Sequence, residues 1–196
     1  MERVRALSKP GRALAPNAPT ATIRNPNWWV NGEVTPTRRR LHREVLQEVR
    51  AAAPGVEQQR HAIVLAGPPG AGKSTVLDSV LGDRRREFLV VDADEFKHIL
   101  LREAVRDGSY TGWLVPKEIR EIDAAGEKFY PLELASLVHE ESSYLAKLLR
   151  RSAIASGDNI VIDTVLSNSA DAVALGAQLE AADYDVKVID VEVPFD

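Results

Sequence analysis

Cysteine is absent from the 196 residues. This removes disulfides and thiolate metal sites, and nothing demands an oxidising compartment. No stretch approaches the ~18 uninterrupted apolar residues of a membrane-spanning helix. The opening "MERVRALSKPGRALAP" carries charge but no apolar core, so it does not read as a secretory signal. The four histidines show no metal-ligand spacing. A net positive charge is also missing: the formal balance is -4. Residues 1–50 hold ten Lys/Arg against four Asp/Glu, and the remainder fifteen against twenty-five. The basic excess centres on Arg38-Arg39-Arg40, which falls on an expected helix and reads as a solvated face. The acidic remainder argues against a nucleic-acid surface. The default expectation is a cytoplasmic location with no membrane contact.

What is present is ordinary for a soluble globular chain: 44% hydrophobic and 28% charged residues. The length suits one α/β domain with a substantial core. Residues 1–34 are rich in Pro, Ala and Asn, show no periodicity, and are expected to form an extended or disordered arm. Trp28 and Trp29 would anchor this arm by docking on the helix that follows; folding back over the chain's own site is the sharper alternative. The domain proper is read as 35–196. Thr35-Pro36 opens a helix over about 36–52, with Leu41, Val45, Leu46 and Val49 inward. Beyond it, "HAIVLAG", "EFLVVDAD", "NIVIDTV" and "VKVIDVEV" are strands separated by helices, the longest over about 132–156. Residues 109–131 are irregular and aromatic, a candidate substrate-side insertion. Continuous Val/Ile strands alternating with helices predict an α/β fold, a parallel sheet with helices on both faces.

Residues 67–74, "GPPGAGKS", match G-x-x-x-x-G-K-[ST] at every fixed position. Glycines let the backbone curl so that its N–H groups face an anion, and the next helix adds the positive end of its dipole. Gly67, Pro68, Pro69, Gly70, Ala71, Gly72, Lys73, Ser74 and Thr75 are therefore the nucleotide-binding residues. Lys73 would reach the β- and γ-phosphates of ATP, and the Ser74 hydroxyl would bind Mg²⁺. A chance Gly-Pro turn is disfavoured because the loop follows a buried strand and opens an amphipathic helix.

The loop settles nucleotide binding but not the reaction. The second strand ends in Asp92 and Asp94, and strand C-termini line the ligand crevice of such sheets. No guanine-reading Asn-Lys-x-Asp occurs, which argues against a GTPase. Paired acids at this place suit a small-molecule kinase, in which Asp94 orients and deprotonates the acceptor hydroxyl. The alternative for Asp94 is a helix cap. Asp92 would support the metal's water shell or the backbone.

Taken together, "GPPGAGKST", "FLVVDADEF", a long helix and "GDNIVIDTVLSN" resemble the zeta toxin family over about residues 36–196. The pre-loop helix beginning "TPTRRRLHREV" resembles it too. These are P-loop kinases of bacterial toxin–antitoxin systems that phosphorylate UDP-N-acetylglucosamine. The resemblance implies a nucleotide-sugar substrate, an antitoxin protein as partner, Lys73 as the phosphate lysine and Asp94 as the base. Asp163 fits the family's acidic position at the third strand's end, where a carboxylate holds a Mg²⁺ water, and Thr164 would contact substrate. The family's substrate-binding glutamate aligns near Lys147. Glu141, about two turns earlier, is the candidate, with a solvated charge as the alternative.

Two features depart from the family. The acid-Gly-Thr of the third strand reads Asp163-Thr164-Val165, without the glycine. The family also continues past its fourth strand into a segment of phosphate-clamping arginines, so this chain is expected to be truncated after the fourth core strand. Two alternatives to the nucleotide-sugar kinase stay open. One is another P-loop small-molecule or polynucleotide kinase, and the other is a non-catalytic nucleotide-binding module.

Overall fold

The computed structural model describes residues 2–68, 70–163 and 169–192. They group into two compact units, one of Met1–Leu46 with Ala93–Leu145 and one of Gln47–Asp92 with Ala146–Asp196.

The second unit is built on a sheet. Strands β3 (His61–Ala66), β4 (Leu89–Val91), β5 (Ile160–Asp163) and β6 (Asp185–Asp190) run parallel in the order β4-β5-β3-β6. (β1, Trp29–Val30, and β2, Glu33–Val34, form a hairpin in the other unit.) Apolar β-branched strands suit a sheet covered on both sides. Ile63, Leu65 and Val161 pack on one side against Leu77 of helix α3 (Lys73–Leu81) and against Phe88. On the opposite side Ala62, Val64, Ile160 and Ile162 are buried as well. This is the P-loop NTPase-type architecture that the sequence indicates, with helices on both faces. On the edge strand β6, Val186 and Val188 stay exposed.

Register sets what lies at the sheet's C-terminal end. Leu65 pairs with Asp163 and Val91 with Ile162. The loop after Ala66, Asp163 and Asp92 therefore emerge together at the end where α/β sheets bind ligands.

The first unit is mainly helical. Helix α4 (Ala93–Arg106) buries Phe96, Ile99, Leu100 and Ala104, the i, i+3, i+4, i+8 stripe of an amphipathic helix. It packs against a 3₁₀ segment, Pro131–Val138, which leads into α6 (His139–Ser156). The expected single helix over 132–156 is therefore two segments. Residues 109–131 are not irregular throughout: a π turn at Tyr110–Leu114 precedes α5 (Lys117–Ala124). Pro116 stands just before α5, where its fixed φ favours entry into a helix.

The largest correction concerns residues 1–34. After α1 (Glu2–Leu7), hydrogen bonds Ala15→Arg12, Ala18→Ala15, Ala21→Ala18 and Arg24→Ala21 form successive turns three residues apart. Leu14, Ala15, Ala18 and Ala21 are buried by this winding. Pro16 and Pro19 take the positions that proline favours in such turns. The arm is tied down by Ser136, whose hydroxyl donates to the Leu14 carbonyl, and by Trp113, whose indole donates to the Ala21 carbonyl. It ends in a hairpin of β1 (Trp29–Val30) and β2 (Glu33–Val34) across Asn31-Gly32. Both turn residues have positive φ, 51° and 80°, as a type I′ turn requires.

Candidate active site

The phosphate loop begins where β3 ends and closes where α3 begins. Gly72 caps the helix in the left-handed region at φ 81°. Gly67 lies at φ 139°, and a Cβ there would meet the Val191 carbonyl at 2.6 Å. Glycine at 67 is thus required by both backbone conformation and close approach. Gly67→Ala is expected to cost about 1–3 kcal/mol. Thermal unfolding checks this as a fall of about 2–4 °C per kcal/mol; an unchanged midpoint would refute it.

Lys73, the first residue of α3, sends its ammonium back across the loop. It donates to the Gly67 carbonyl at 2.9 Å and lies 3.2 Å from Asp163 Oδ1. The side chain is largely buried, so its charge is held in one place by a carbonyl and a carboxylate. Arriving phosphates would replace these partners without moving the lysine far. Ser74 and Thr75 follow in the first turn of α3 and are exposed. Gly70 and Ala71 complete the loop, and the Ala71 amide donates to the Pro68 carbonyl. Pro69 and Thr164 lie outside the described residues.

Asp94 sits in the first turn of α4. Because the helix starts at Ala93, Asp94 is inside it, and Asp92 is the residue immediately before it. This separates the two roles considered for Asp94: its carboxylate is not at the cap position. It accepts a 2.7 Å hydrogen bond from Lys97 Nζ. That bond leads in lowering the Asp94 pKa; burial opposes it, and the charges of Lys97, His139 and His98 add to it. The carboxylate is therefore ionised at neutral pH, the state a proton acceptor needs.

Glu141 departs most from expectation. It is neither a solvated charge nor open to a ligand: it is fully buried. Arg38 grips it through two bonds, Nε to Oε1 at 2.6 Å and Nη2 to Oε2 at 2.8 Å. His42 Nε2 lies 2.6 Å from Oε1. Burial pushes its pKa up, but the hydrogen bonds and charges of Arg38 and His42 outweigh it and bring the pKa from 4.5 down to about 2. With both oxygens engaged, Glu141 is the centre of a buried ion pair. Arg38 is correspondingly not on a solvated face. Its guanidinium stacks on Trp28 at 4.0 Å, while Trp29 packs edge-on against Tyr144 at 5.4 Å. The tryptophans therefore dock on the pre-loop helix α2 (Pro36–Ala51) and on Tyr144 of α6. His42 was not singled out from sequence. Its position four residues after Arg38, on one helix face, was the available signal.

The donors at the sheet end fit magnesium. A serine hydroxyl and carboxylates are the hard oxygen ligands that Mg²⁺ takes. No group of three or more His, Cys, Asp or Glu among the described residues forms a metal cage.

This combination of parallel sheet, glycine loop and helix defines a P-loop nucleotide-binding domain. The chain belongs to the AAA domain family, whose profile matches residues 63–196. No curated protein matches it. A structure of AvrRxo1-ORF1:AvrRxo1-ORF2 with sulphate ions shares the fold at TM-score 0.58 and 22% identity, covering 83% of this chain and 48% of that one. A structure of AvrRxo1-ORF1:-ORF2 with ATP covers 93% and 50%, at TM-score 0.54 and 22% identity. A chain of the PezAT chromosomal toxin–antitoxin system of Streptococcus pneumoniae covers 81% and 57%, at TM-score 0.56 and 15% identity. The chain thus spans about half the length of these neighbours. The resemblance to the zeta toxin family is supported as a likeness of fold. No helix among the described residues is long and apolar enough to cross a membrane.

Proposed function

We propose that this chain is an ATP-dependent small-molecule kinase of zeta-toxin type. It would transfer the γ-phosphate of ATP to a hydroxyl of UDP-N-acetylglucosamine or a similar nucleotide sugar. The phosphate loop, with Lys73 held at its mouth by Gly67 and Asp163, carries nucleotide binding; the observation that carries the kinase reading is the ionised carboxylate of Asp94 just after the second core strand. The AvrRxo1 structure with ATP supports the choice of nucleotide, and the PezAT system supports an antitoxin protein as partner.

The steps assigned to this chain's residues are few. Loop amides and Lys73 bind the β- and γ-phosphates and hold the γ-phosphorus for in-line attack. Asp94 accepts the proton of the acceptor hydroxyl as that oxygen bonds to phosphorus and the bond to ADP breaks. Thr164 would contact the acceptor. Ser74, Asp163 and Asp92 would hold a magnesium ion with its waters, and the ion would neutralise charge on the phosphates. Glu141 acts at one remove, by fixing α2 against α6 within the first unit.

ATP with Mg²⁺ should stabilise the fold by ~2.7 kcal/mol at a hundredfold excess over its dissociation constant. Lys73→Ala should remove most of that gain. A parent melting temperature that does not move in saturating ATP defeats nucleotide binding. Incubation with ATP, Mg²⁺ and UDP-N-acetylglucosamine, followed by mass analysis of the sugar nucleotide, tests the acceptor separately.

A further inference from the structure

Residues 110–129 enclose a cleft of about 290 Å³ in the first unit, to which the chemistry above gives no part. The chain enters it through the π turn, where the Val115 amide donates to the Tyr110 carbonyl, five residues back, at 3.0 Å. Such turns are rare, and where they occur they lie frequently at functional sites. Arg120 braces the turn, donating from Nη2 to the Thr111 carbonyl at 2.7 Å and from Nε to the Val115 carbonyl at 3.0 Å. Ile119, Arg120, Asp123 and Ala124 share one face of α5, and that face lines the cleft. Phe129 completes the lining, and its amide donates to Asp123 Oδ1.

The lining defines the ligand. Val115, Ile119 and the rings of Tyr110 and Phe129 offer apolar and aromatic surface, which suits a flat ring. Charge is balanced around it: Arg120 and Lys128 stand against Asp123 and Glu133, so neither an anion nor a cation is favoured. Two polar groups keep capacity. No hydrogen bond engages the Tyr110 hydroxyl among the described residues. Burial first, then the charges of Asp123 and Glu133, raise its pKa, so it keeps its proton and is a donor. Asp123 accepts from Lys128 Nζ at 2.9 Å and from the Phe129 amide at 3.4 Å. A carboxylate has about four acceptor sites, so it can take one bond more. A donor and an acceptor beside aromatic walls read the edge of a nucleobase, where an N–H or amino group neighbours a ring nitrogen or carbonyl.

We propose that this cleft binds an uncharged nitrogen heterocycle of nucleobase size, with Tyr110 donating to a ring acceptor and Asp123 accepting from the neighbouring N–H. Its lining lies wholly in the first unit and the phosphate loop in the second, so the proposal does not depend on the kinase reading.

The test titrates the full chain with uridine, cytidine and adenosine by calorimetry. It is repeated on Tyr110→Phe and Ala124→Trp, and with each nucleoside's analogue methylated at the donor nitrogen. At least one nucleoside should bind one-to-one, with a Kd of ~1 mM or tighter. Tyr110→Phe keeps the ring and should weaken binding about tenfold, the order of one lost hydrogen bond; methylation of the ligand should cost about as much. Ala124→Trp sets an indole into the cleft from an exposed helix position, so it should abolish binding at a parent-like melting temperature. UDP-N-acetylglucosamine as competitor then tells the source: displacement points to a base carried on a nucleotide, and no displacement to a free nucleoside. Binding of no nucleoside, or binding that Ala124→Trp leaves unchanged, overturns the proposal. Parent-like affinity of both Tyr110→Phe and the methylated analogues overturns it too, since the cleft would then hold apolar rings without reading a base edge.

Discussion

Asp94→Asn should lower phosphoryl transfer by ~10² or more while leaving the ATP-dependent rise in melting temperature nearly intact. The rate effect is what removal of a general base costs, because amide oxygen is a far poorer proton acceptor than carboxylate. ATP binding should survive because the phosphate-holding groups lie in the loop at 67–75, outside the helix that carries Asp94. Stability should barely change either: Asp94 is exposed, and its pair with Lys97 is of the surface kind. Steady-state kinetics with sugar nucleotide, paired with thermal unfolding with and without ATP, separates these effects. Parent-rate turnover by the Asn variant would reduce Asp94 to a helix-surface charge. Expression in a bacterium gives a second readout: growth inhibition by the parent and tolerance of the variant.

How much of this site the sequence reveals depends on how local each feature is. The phosphate loop is strand, glycine turn and helix in consecutive residues, so every part of its signal is written in one place. The sheet was equally legible, because short continuous apolar runs such as "AIVLA" and "IVI" between turn residues suit strands buried on both faces. The pairing of Lys73 with Asp163 needed the register of β3 against β5, which sequence does not print. The first unit was harder, for two different reasons. In residues 12–24 the period is three, set by Ala15, Ala18 and Ala21 with prolines between, and neither the helical nor the strand period detects it. Asn31-Gly32, by contrast, is a standard hairpin signal flanked by apolar residues, and it was there to be read. Charged residues misled in the other direction. Arg38 and Glu141 are 103 positions apart and each looks solvated alone; only their pairing makes burial affordable.

That pairing gives Glu141→Ala a large expected cost in stability. Glu141→Ala leaves the Arg38 guanidinium, only 5% exposed, without its counter-charge. Breaking one side of a buried ion pair typically costs 3–5 kcal/mol, because the remaining charge stays desolvated and unpaired. On a chain whose total stability is of order 5–15 kcal/mol, this is a large fraction. The damage should also reach the aromatic cluster, since Arg38 stacks on Trp28 and His42 faces Trp29 and Tyr144. Tryptophan fluorescence should therefore report loosening there before global unfolding. Glu141→Gln keeps the shape and one acceptor but removes the charge, so it isolates the electrostatic part. Its pH dependence has a defined sign. The folded pKa, about 2, lies below the ordinary 4.5, so the stabilisation is fully present above about pH 4.5 and is lost as pH falls through about 2. A shift of that size corresponds to about 3 kcal/mol. Urea unfolding of parent and Glu141→Gln should thus differ near neutral pH and converge at strongly acid pH. Equal midpoints at neutral pH would show that Arg38 and His42 find water or other partners when the carboxylate charge is gone.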